Sequence, residues 1–143
     1  MAFLTGPRQV GKTSIADIFQ ANFKRFKYLN WDDAVDREII LSNIDSVLDS
    51  FELSIANNQK PLLIFDEIHK YKDWKNYLKG FVDKHKKTIN ILVTGGAKLD
   101  IYKKGGDSLM GRYFLYWAHP LSVAELIMIY IIYVIKIKEK LIF

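Results

Sequence analysis

The chain has 143 residues, which is enough for one domain with a sizeable core but too few for a second catalytic lobe. Cysteine is absent, which excludes disulfides, a thiolate nucleophile and a cysteine-based metal site. The three histidines are scattered and offer no ligand cluster. The net charge of +5 comes from lysines spread among acidic residues, so nucleic acid is a partner that the composition permits but does not favour. No signal-peptide or transit-peptide pattern begins the chain, and we expect a cytoplasmic location.

A glycine-rich loop follows a short apolar stretch at the start of the chain. Gly6–Thr13 matches the pattern G-x-x-x-x-G-K-[ST] at every fixed position, directly after Ala2–Leu4. In such a loop the backbone N–H groups converge on phosphate, and the positive end of the following helix adds to the attraction. We expect Lys12 to reach the β- and γ-phosphates of a nucleotide, and the Thr13 hydroxyl to ligate Mg²⁺.

The loop and the first helical residues form the predicted nucleotide-binding set. Its members are Gly6, Pro7, Arg8, Gln9, Val10, Gly11, Lys12, Thr13 and Ser14. Arg8 occupies a variable position of the motif, so no chemistry is assigned to its side chain. Because Ala2–Leu4 is so short, the first strand looks clipped.

Hydrophobic spacing predicts alternating helices and strands after the loop. The first helix has Ile15, Ile18 and Phe19 on one face. The predicted elements are a helix over Lys12–Asn22, a strand over Phe26–Leu29, a short helix capped by Asp32 and Asp33 and ending near Leu41, a helix over Ile44–Ala56, a strand over Leu62–Phe65, a helix over Trp74–Lys86 and a strand over Ile89–Val93. This alternation is typical of an α/β fold with a mostly parallel sheet covered on both faces.

Two carboxylates come directly after the most apolar strand. Leu62–Phe65 has the continuous apolar pattern of a buried parallel strand, and Asp66 and Glu67 follow it. Since open α/β sheets place ligand groups at the carboxyl ends of their strands, we expect Asp66 to lie opposite Thr13 and to hold Mg²⁺, directly or through water. Glu67 is then expected to polarise the water that attacks the γ-phosphate. The alternative for this pair is a solvated helix cap.

Two further residues are candidates for catalysis. Thr94 follows the strand over Ile89–Val93, where a polar sensor for the γ-phosphate is expected, although a threonine there also suits a turn cap. Arg112 is a candidate arginine finger that acts in its own subunit or on a neighbour's nucleotide, and its alternative is a surface ion pair. Both pairs of alternatives stay open at this point.

An apolar segment, Leu126–Ile135, lies near the end of the sequence between Glu125 and Lys136. It is shorter than the roughly 20 apolar residues that a transmembrane helix needs, so we expect no membrane insertion. The alternatives are a buried segment and an aggregation-prone, β-rich end. Trp74 and Trp117 are expected to pack in the core or in a subunit interface.

Several segments together resemble the prokaryotic AAA-like ATPase family, whose P-loop domain is usually followed by a C-terminal domain of unknown function. The segments that carry the resemblance are Gly6–Thr13, Tyr28–Asp33, Asp66–Trp74, Leu92–Gly95, Leu109–Tyr113 and His119–Leu126. The resemblance implies a P-loop NTPase three-layer sandwich of the additional-strand type over residues 1–126. It also implies ATP at the glycine-rich loop, Mg²⁺ with Thr13 and Asp66, and Glu67 as the catalytic carboxylate.

The sequence departs from this family at two places. Gly96 stands where the family often has a serine, which removes a hydroxyl near the predicted sensor. The resemblance ends near Leu126, so residues 127–143 are expected to be the remnant of a truncated C-terminal region.

Other nucleotide hydrolases fit less well. A GTPase would need a guanine-reading asparagine where Ala97 stands and a glycine where His69 stands. A helicase with the Asp66–His69 box would need a second domain, so His69 is interpreted as an ordinary loop residue. The predicted function is Mg²⁺-dependent ATP binding and ATP hydrolysis, with a homo-oligomer left open. The alternatives are a catalytically silent nucleotide-binding or interaction remnant and a nucleic-acid-stimulated ATPase.

Overall fold

The computed structural model describes residues 1–42, 44–52, 59–96 and 109–131. Strands and helices alternate along the chain as the hydrophobic pattern predicts, and residues 123–131 are also helical. The elements are β1 (Ala2–Thr5), α1 (Lys12–Gln20), β2 (Phe26–Asn30), α2 (Ala34–Ser42), α3 (Ile44–Glu52), β3 (Leu62–Asp66), a 3₁₀ turn (Ile68–Lys70), α4 (Trp74–His85), β4 (Asn90–Thr94) and β5 (Phe114–Trp117).

The described strands form one five-stranded sheet in the order β2-β3-β4-β1-β5. Every neighbouring pair is parallel, so the carboxyl ends of all the strands meet at one edge. β4 lies between β1, which leads into the glycine-rich loop, and β3, which ends in Asp66. The α/β fold of the additional-strand type is therefore confirmed.

The predicted ends of two elements and the predicted number of strands need correction. The first helix ends at Gln20 rather than Asn22, because the Asn22 side chain donates to the carbonyls of Ile18 and Phe19 and competes with further helical turns. β2 extends one residue further, to Asn30, and β5 was not predicted from the sequence at all. The end of the predicted helix over 44–56 lies outside the described residues.

The sheet buries its two faces to different extents, because successive side chains of a strand point to opposite faces. One face packs against α2, α3 and α4, and we call it the three-helix face. Its fully buried cluster is Phe3, Leu29, Ile40, Leu48, Leu63, Phe65, Ile68, Trp74, Leu78, Phe81, Val82, Ile89, Ile91, Val93 and Leu109. The other, which we call the α1 face, packs against α1 and has the smaller cluster Leu4, Ala16, Leu62, Ile64, Leu92 and Ala118.

Several apolar side chains on the α1 side are exposed. Ile15, Ile18 and Phe19 lie on the predicted helix, but they are 43%, 72% and 45% exposed, and the buried residue of α1 is Ala16. Trp74 is in the core as predicted, whereas Trp117 is 50% exposed, so the core prediction is wrong for Trp117.

The segment near the end of the chain also differs from its prediction. Residues 126–131 are helical and their side chains are exposed, so the alternative of a buried segment is wrong for these residues, while the alternative of an aggregation-prone end stays a prediction. The remaining predicted positions, 132–135, lie outside the described residues. Within the described part of the chain, no helix is both long enough and apolar enough to cross a membrane.

Candidate active site

The glycine-rich loop connects the carboxyl end of β1 to the amino end of α1. Gly11 is the N-cap of α1 with φ of 82°, a left-handed conformation that glycine adopts without a steric penalty. Gly6 has φ of 152°, and a Cβ added there would lie 2.3 Å from the carbonyl oxygen of Ala118. Ala118 itself donates its N–H to the Thr5 carbonyl at 2.7 Å. The loop therefore starts in a space that only glycine fits, against the chain that follows β5.

Lys12 lies over the loop that it is predicted to serve. Its Nζ is 3.2 Å from the carbonyl oxygen of Gly6 and also donates to the carbonyl of Pro7. The predicted set is mostly open to solvent, since Pro7, Arg8, Gln9, Thr13 and Ser14 are exposed. An ammonium group at the mouth of an accessible backbone loop gives a place where an anion can bind.

Asp66 ends β3 on the α1 face and is 8% exposed. It pairs in register with Thr94, the last residue of β4, whose hydroxyl donates to Oδ1 of Asp66. Thr94 is 1% exposed and its hydroxyl donates to this carboxylate, while the turn that it could cap continues from residue 97 outside the described residues. A role of Thr94 in sensing the γ-phosphate stays a prediction.

Tyr28 is a site residue that sequence reasoning missed. Its hydroxyl donates to Oδ2 of Asp66, and the Thr13 side chain lies near enough to act on the pKa of Tyr28, which it lowers slightly against the larger effects of burial and Asp66. Burial, followed by the hydrogen bond to Asp66, raises the pKa of Tyr28 well above its ordinary value, so the phenol stays protonated. The position of Tyr28 becomes informative only when the pairing of β2 with β3 is known.

Glu67 lies just beyond the sheet, in a left-handed backbone conformation with φ of 56°. Its N–H donates to the Thr94 carbonyl at 3.0 Å, which fixes its backbone beside Asp66. The carboxylate is 3.3 Å from Nζ of Lys70 and 3.7 Å from Nε2 of His69. Lys70 also pairs with Asp32, and this hydrogen bond raises the pKa of Lys70. The predicted catalytic carboxylate is thus held in an ion-pair network.

His69 lies in the 3₁₀ turn, and its side chain is only 11% exposed. Burial lowers the pKa of His69, although the nearby Glu67 carboxylate acts in the opposite direction. Its Nδ1 is buried without a hydrogen-bond partner in the structure. Interpreting His69 as an ordinary loop residue overlooked its contact with Glu67.

Arg112 forms a two-pronged ion pair with Asp83 of α4, with Nε 2.8 Å from Oδ1 and Nη2 3.0 Å from Oδ2. Since Ala2 pairs with Phe114, Arg112 lies near the amino ends of the strands, whereas the glycine-rich loop follows their carboxyl ends. The structure does not bring Arg112 to the loop of its own chain. The ion-pair alternative is what the structure shows, and a role on a neighbouring subunit stays a prediction.

The oxygen atoms at this site suit Mg²⁺. Magnesium prefers hard oxygen ligands, keeps several waters and takes only one or two protein carboxylates together with substrate phosphates. Asp66 is a buried carboxylate, and the hydroxyls that donate to it, those of Tyr28 and Thr94, are neutral. The described residues contain no group of three or more metal-ligating side chains of the kind that binds zinc.

Comparisons with known proteins agree with this architecture. A family model described as an AAA domain matches residues 1–127. The chain is similar to the solved structure of C. elegans PCH-2, with a TM-score of 0.54 and 17% identity, covering 85% of this chain and 36% of that one. It is also similar to the Aeropyrum pernix Orc1 protein, solved in complex with DNA, with a TM-score of 0.58 and 14% identity over 87% of this chain and 41% of that one.

These likenesses establish the fold and its class. The parallel sheet with strand order 2-3-4-1-5 is that of an AAA+ P-loop domain. The chain spans 36% and 41% of the two solved proteins, which is well under half of either one. A comparison with curated protein sequences gives no match.

Proposed function

Because the chain belongs to the AAA domain family, we propose that it binds ATP together with Mg²⁺ and hydrolyses the γ-phosphate. One observation carries this proposal: the glycine-rich loop and the buried Asp66 carboxylate lie at the same edge of the sheet and on the same face. Open α/β sheets bind their ligands at this edge.

The loop supports phosphate binding through its backbone. The N–H groups at the start of α1 have no earlier carbonyl to bind within the helix, and they carry the positive end of the helix dipole. Lys12 Nζ now donates to the carbonyls of Gly6 and Pro7, and it exchanges these contacts for phosphate oxygens when nucleotide binds. Thr13 and Asp66 would hold Mg²⁺, which when bound neutralises the charge on the phosphate oxygens.

Hydrolysis needs a water that is oriented and polarised toward the γ-phosphate, and Glu67 is the carboxylate placed for this role. Its N–H is fixed by the Thr94 carbonyl at 3.0 Å, so its backbone is held next to Asp66. Its side chain is paired with Lys70 at 3.3 Å, and we propose that this contact opens before Glu67 binds the water. The same contact favours the alternative function, a nucleotide-binding module that does not turn over.

The first experiment is calorimetric titration of the folded chain with ATP in the presence of Mg²⁺, with Lys12→Ala as the comparison variant. We expect binding by the wild type that weakens strongly in the variant, because the loop loses its cation. A folded wild-type chain that binds no Mg·ATP would contradict the proposed function.

Turnover then separates the enzyme from the silent module. We expect phosphate release by the wild type and its loss in Glu67→Gln, with nucleotide affinity retained in that variant. Binding without any turnover by the wild type would favour the silent module. Stimulation by DNA or RNA that weakens steeply with salt would instead indicate a nucleic-acid-dependent ATPase.

A further inference from the structure

We propose that Tyr28 is a positioning residue for the metal site, because its hydroxyl donates to the Asp66 carboxylate and orients it. The inference rests on the proposed function, since it concerns how that site acquires its affinity for Mg²⁺. It assigns a role in nucleotide-dependent metal binding to a strand, β2, that carries no residue of either phosphate-site motif.

The register of the sheet explains why Tyr28 reaches Asp66. Tyr28 pairs directly with Ile64, two residues before Asp66 on the neighbouring strand, so all three side chains point to the α1 face. A diagonal neighbour of this kind lies about 7–8 Å away between backbones, which is within reach of an aromatic side chain but not of a short one. The half-buried Tyr28 ring packs against the α1-face cluster, so its hydroxyl is presented at a fixed place.

The phenol has the right hydrogen-bonding capacity for two partners. One hydroxyl provides a single donor and two acceptor lone pairs. The donor is used on Oδ2 of Asp66, which leaves the lone pairs of the oxygen able to accept from the nearby Thr13 hydroxyl. The phenol therefore holds the carboxylate on β3 and lies near the hydroxyl on α1, and both of these groups are predicted Mg²⁺ ligands.

Both oxygens of the carboxylate are held in this arrangement. The Thr94 hydroxyl binds Oδ1 while the Tyr28 hydroxyl binds Oδ2, so the plane of the carboxylate is restrained from two neighbouring strands. Loss of an outer-shell partner of this kind typically lowers metal affinity about 10- to 100-fold. Tyr28 should therefore set the affinity for Mg²⁺, while the loop sets the affinity for the metal-free nucleotide.

The test is Tyr28→Phe, which keeps the ring and removes only the hydroxyl. ATP affinity would be measured by calorimetry in EDTA and over a series of Mg²⁺ concentrations. We expect the Mg²⁺ concentration for half-maximal enhancement of binding to rise by about 10-fold or more, with the affinity in EDTA changed less than about twofold. Binding of Mn²⁺ in the presence of ADP, followed by electron paramagnetic resonance, should weaken in parallel.

Tyr77→Phe is the matched control. Its hydroxyl is also half-buried and donates to a backbone carbonyl, that of Ile40 at 2.9 Å, but it lies on the three-helix face away from the site. We expect this variant to lose some thermal stability and to keep the wild-type Mg²⁺ dependence. If Tyr28 had only a structural role, the two variants would behave alike.

Two outcomes would overturn the inference. A Mg²⁺ dependence of Tyr28→Phe within twofold of the wild type would show that the hydroxyl does not position the ligand. A tighter Mg²⁺ dependence would show that the phenol obstructs the cation instead of preparing its site. In both cases the wild type still binds Mg·ATP and the proposed function stands, whereas a wild type without Mg²⁺-dependent binding overturns the function together with this inference.

Discussion

The two faces of the sheet differ in what lies at the ends of their strands. On the three-helix face Phe3, Phe65 and Val93 are completely buried among helices α2, α3 and α4, and β1 ends on this face in the buried, uncharged Thr5. On the α1 face the corresponding rows end in Asp66 and Thr94, which are buried but polar. One face therefore supplies most of the buried packing, while the more lightly covered face carries the buried Asp66 carboxylate.

The polar residues on the α1 face are tolerated because they satisfy one another. Burying a carboxylate is costly unless it receives hydrogen bonds, and Asp66 receives one from each neighbouring strand. Among the described helices, α1 is the one that contributes to the cluster on this face, and apolar surface stays uncovered toward the sheet edge, where Phe114 is 73% exposed and Tyr116 is 57% exposed. The same light cover keeps the glycine-rich loop open to solvent.

The largest effect is expected in the core of the three-helix face. Phe65→Ala should lower the free energy of unfolding by about 3–5 kcal/mol, since a fully buried ring in contact with Tyr77 and Phe81 leaves a cavity. Phe19→Ala on the α1 side, where the ring is 45% exposed, should cost about 1 kcal/mol or less. Chemical denaturation measures both, and equal losses would contradict the unequal packing of the two faces.

The next effect concerns the loop. Gly6→Ala places a Cβ against the Ala118 carbonyl oxygen at 2.3 Å and should strain the loop backbone by about 1–3 kcal/mol. Because each 1.4 kcal/mol corresponds to about tenfold in affinity, we expect ATP binding to weaken by roughly one to two orders of magnitude.

Gly80→Ala is the control for this change, since its added Cβ meets no atom within 4 Å in helix α4. It should leave ATP affinity unchanged and stabilise the helix by about 0.5–1 kcal/mol. Equal ATP affinity of Gly6→Ala and the wild type would show that the contact with Ala118 does not shape the loop.

A smaller effect is expected at the ion pair beside Asp66. Lys70→Met removes the partner of Glu67, and exposed ion pairs of this kind are worth about 0.2–1 kcal/mol. We therefore expect steady-state ATP turnover to rise by at most about fivefold, with nucleotide affinity unchanged. A fall in turnover would show that Lys70 assists catalysis rather than restraining the carboxylate.

The smallest effect is a change in the pH dependence of stability. Burial lowers the pKa of His69 below its ordinary 6.5, so the unfolded chain takes up the proton more readily than the folded one. The free energy of unfolding carries no penalty from His69 above about pH 6.5, and it decreases as the pH falls from there through the pKa of His69 in the folded chain. Thermal melts of His69→Gln between pH 5 and 7 should show a weaker decrease, and an unchanged decrease would exclude His69 as its source.

Segments that consist of one continuous stretch of sequence were predictable from the sequence. The glycine-rich loop and β3 are continuous, so the motif and the apolar run contain everything that defines them. The additional strand was predicted for the same reason, since β4 is another short apolar run. β5 was missed because it has only four residues and no alternation that separates it from a loop.

Properties that depend on pairing between distant segments were not predictable. Tyr28 acquires its role from its register against β3, and Arg112 finds its partner Asp83 in a helix 29 residues earlier. Helical spacing placed Ile15, Ile18 and Phe19 on one face, but spacing alone does not reveal whether another element covers that face. The predicted roles of Glu67 and Thr94, and the proposed domain limits of 1–126 and 127–143, stay predictions.

The contact between Gly6 and Ala118 has a mechanical consequence. The loop and the chain after β5 are in contact through backbone atoms. No side chain lies between them that could rotate away if one moved toward the other. A displacement of the loop at Gly6 would therefore act directly on the segment that leads to the helix at 123–131. The glycine-rich loop and the far end of the described chain are thus joined by backbone contacts and not by side chains.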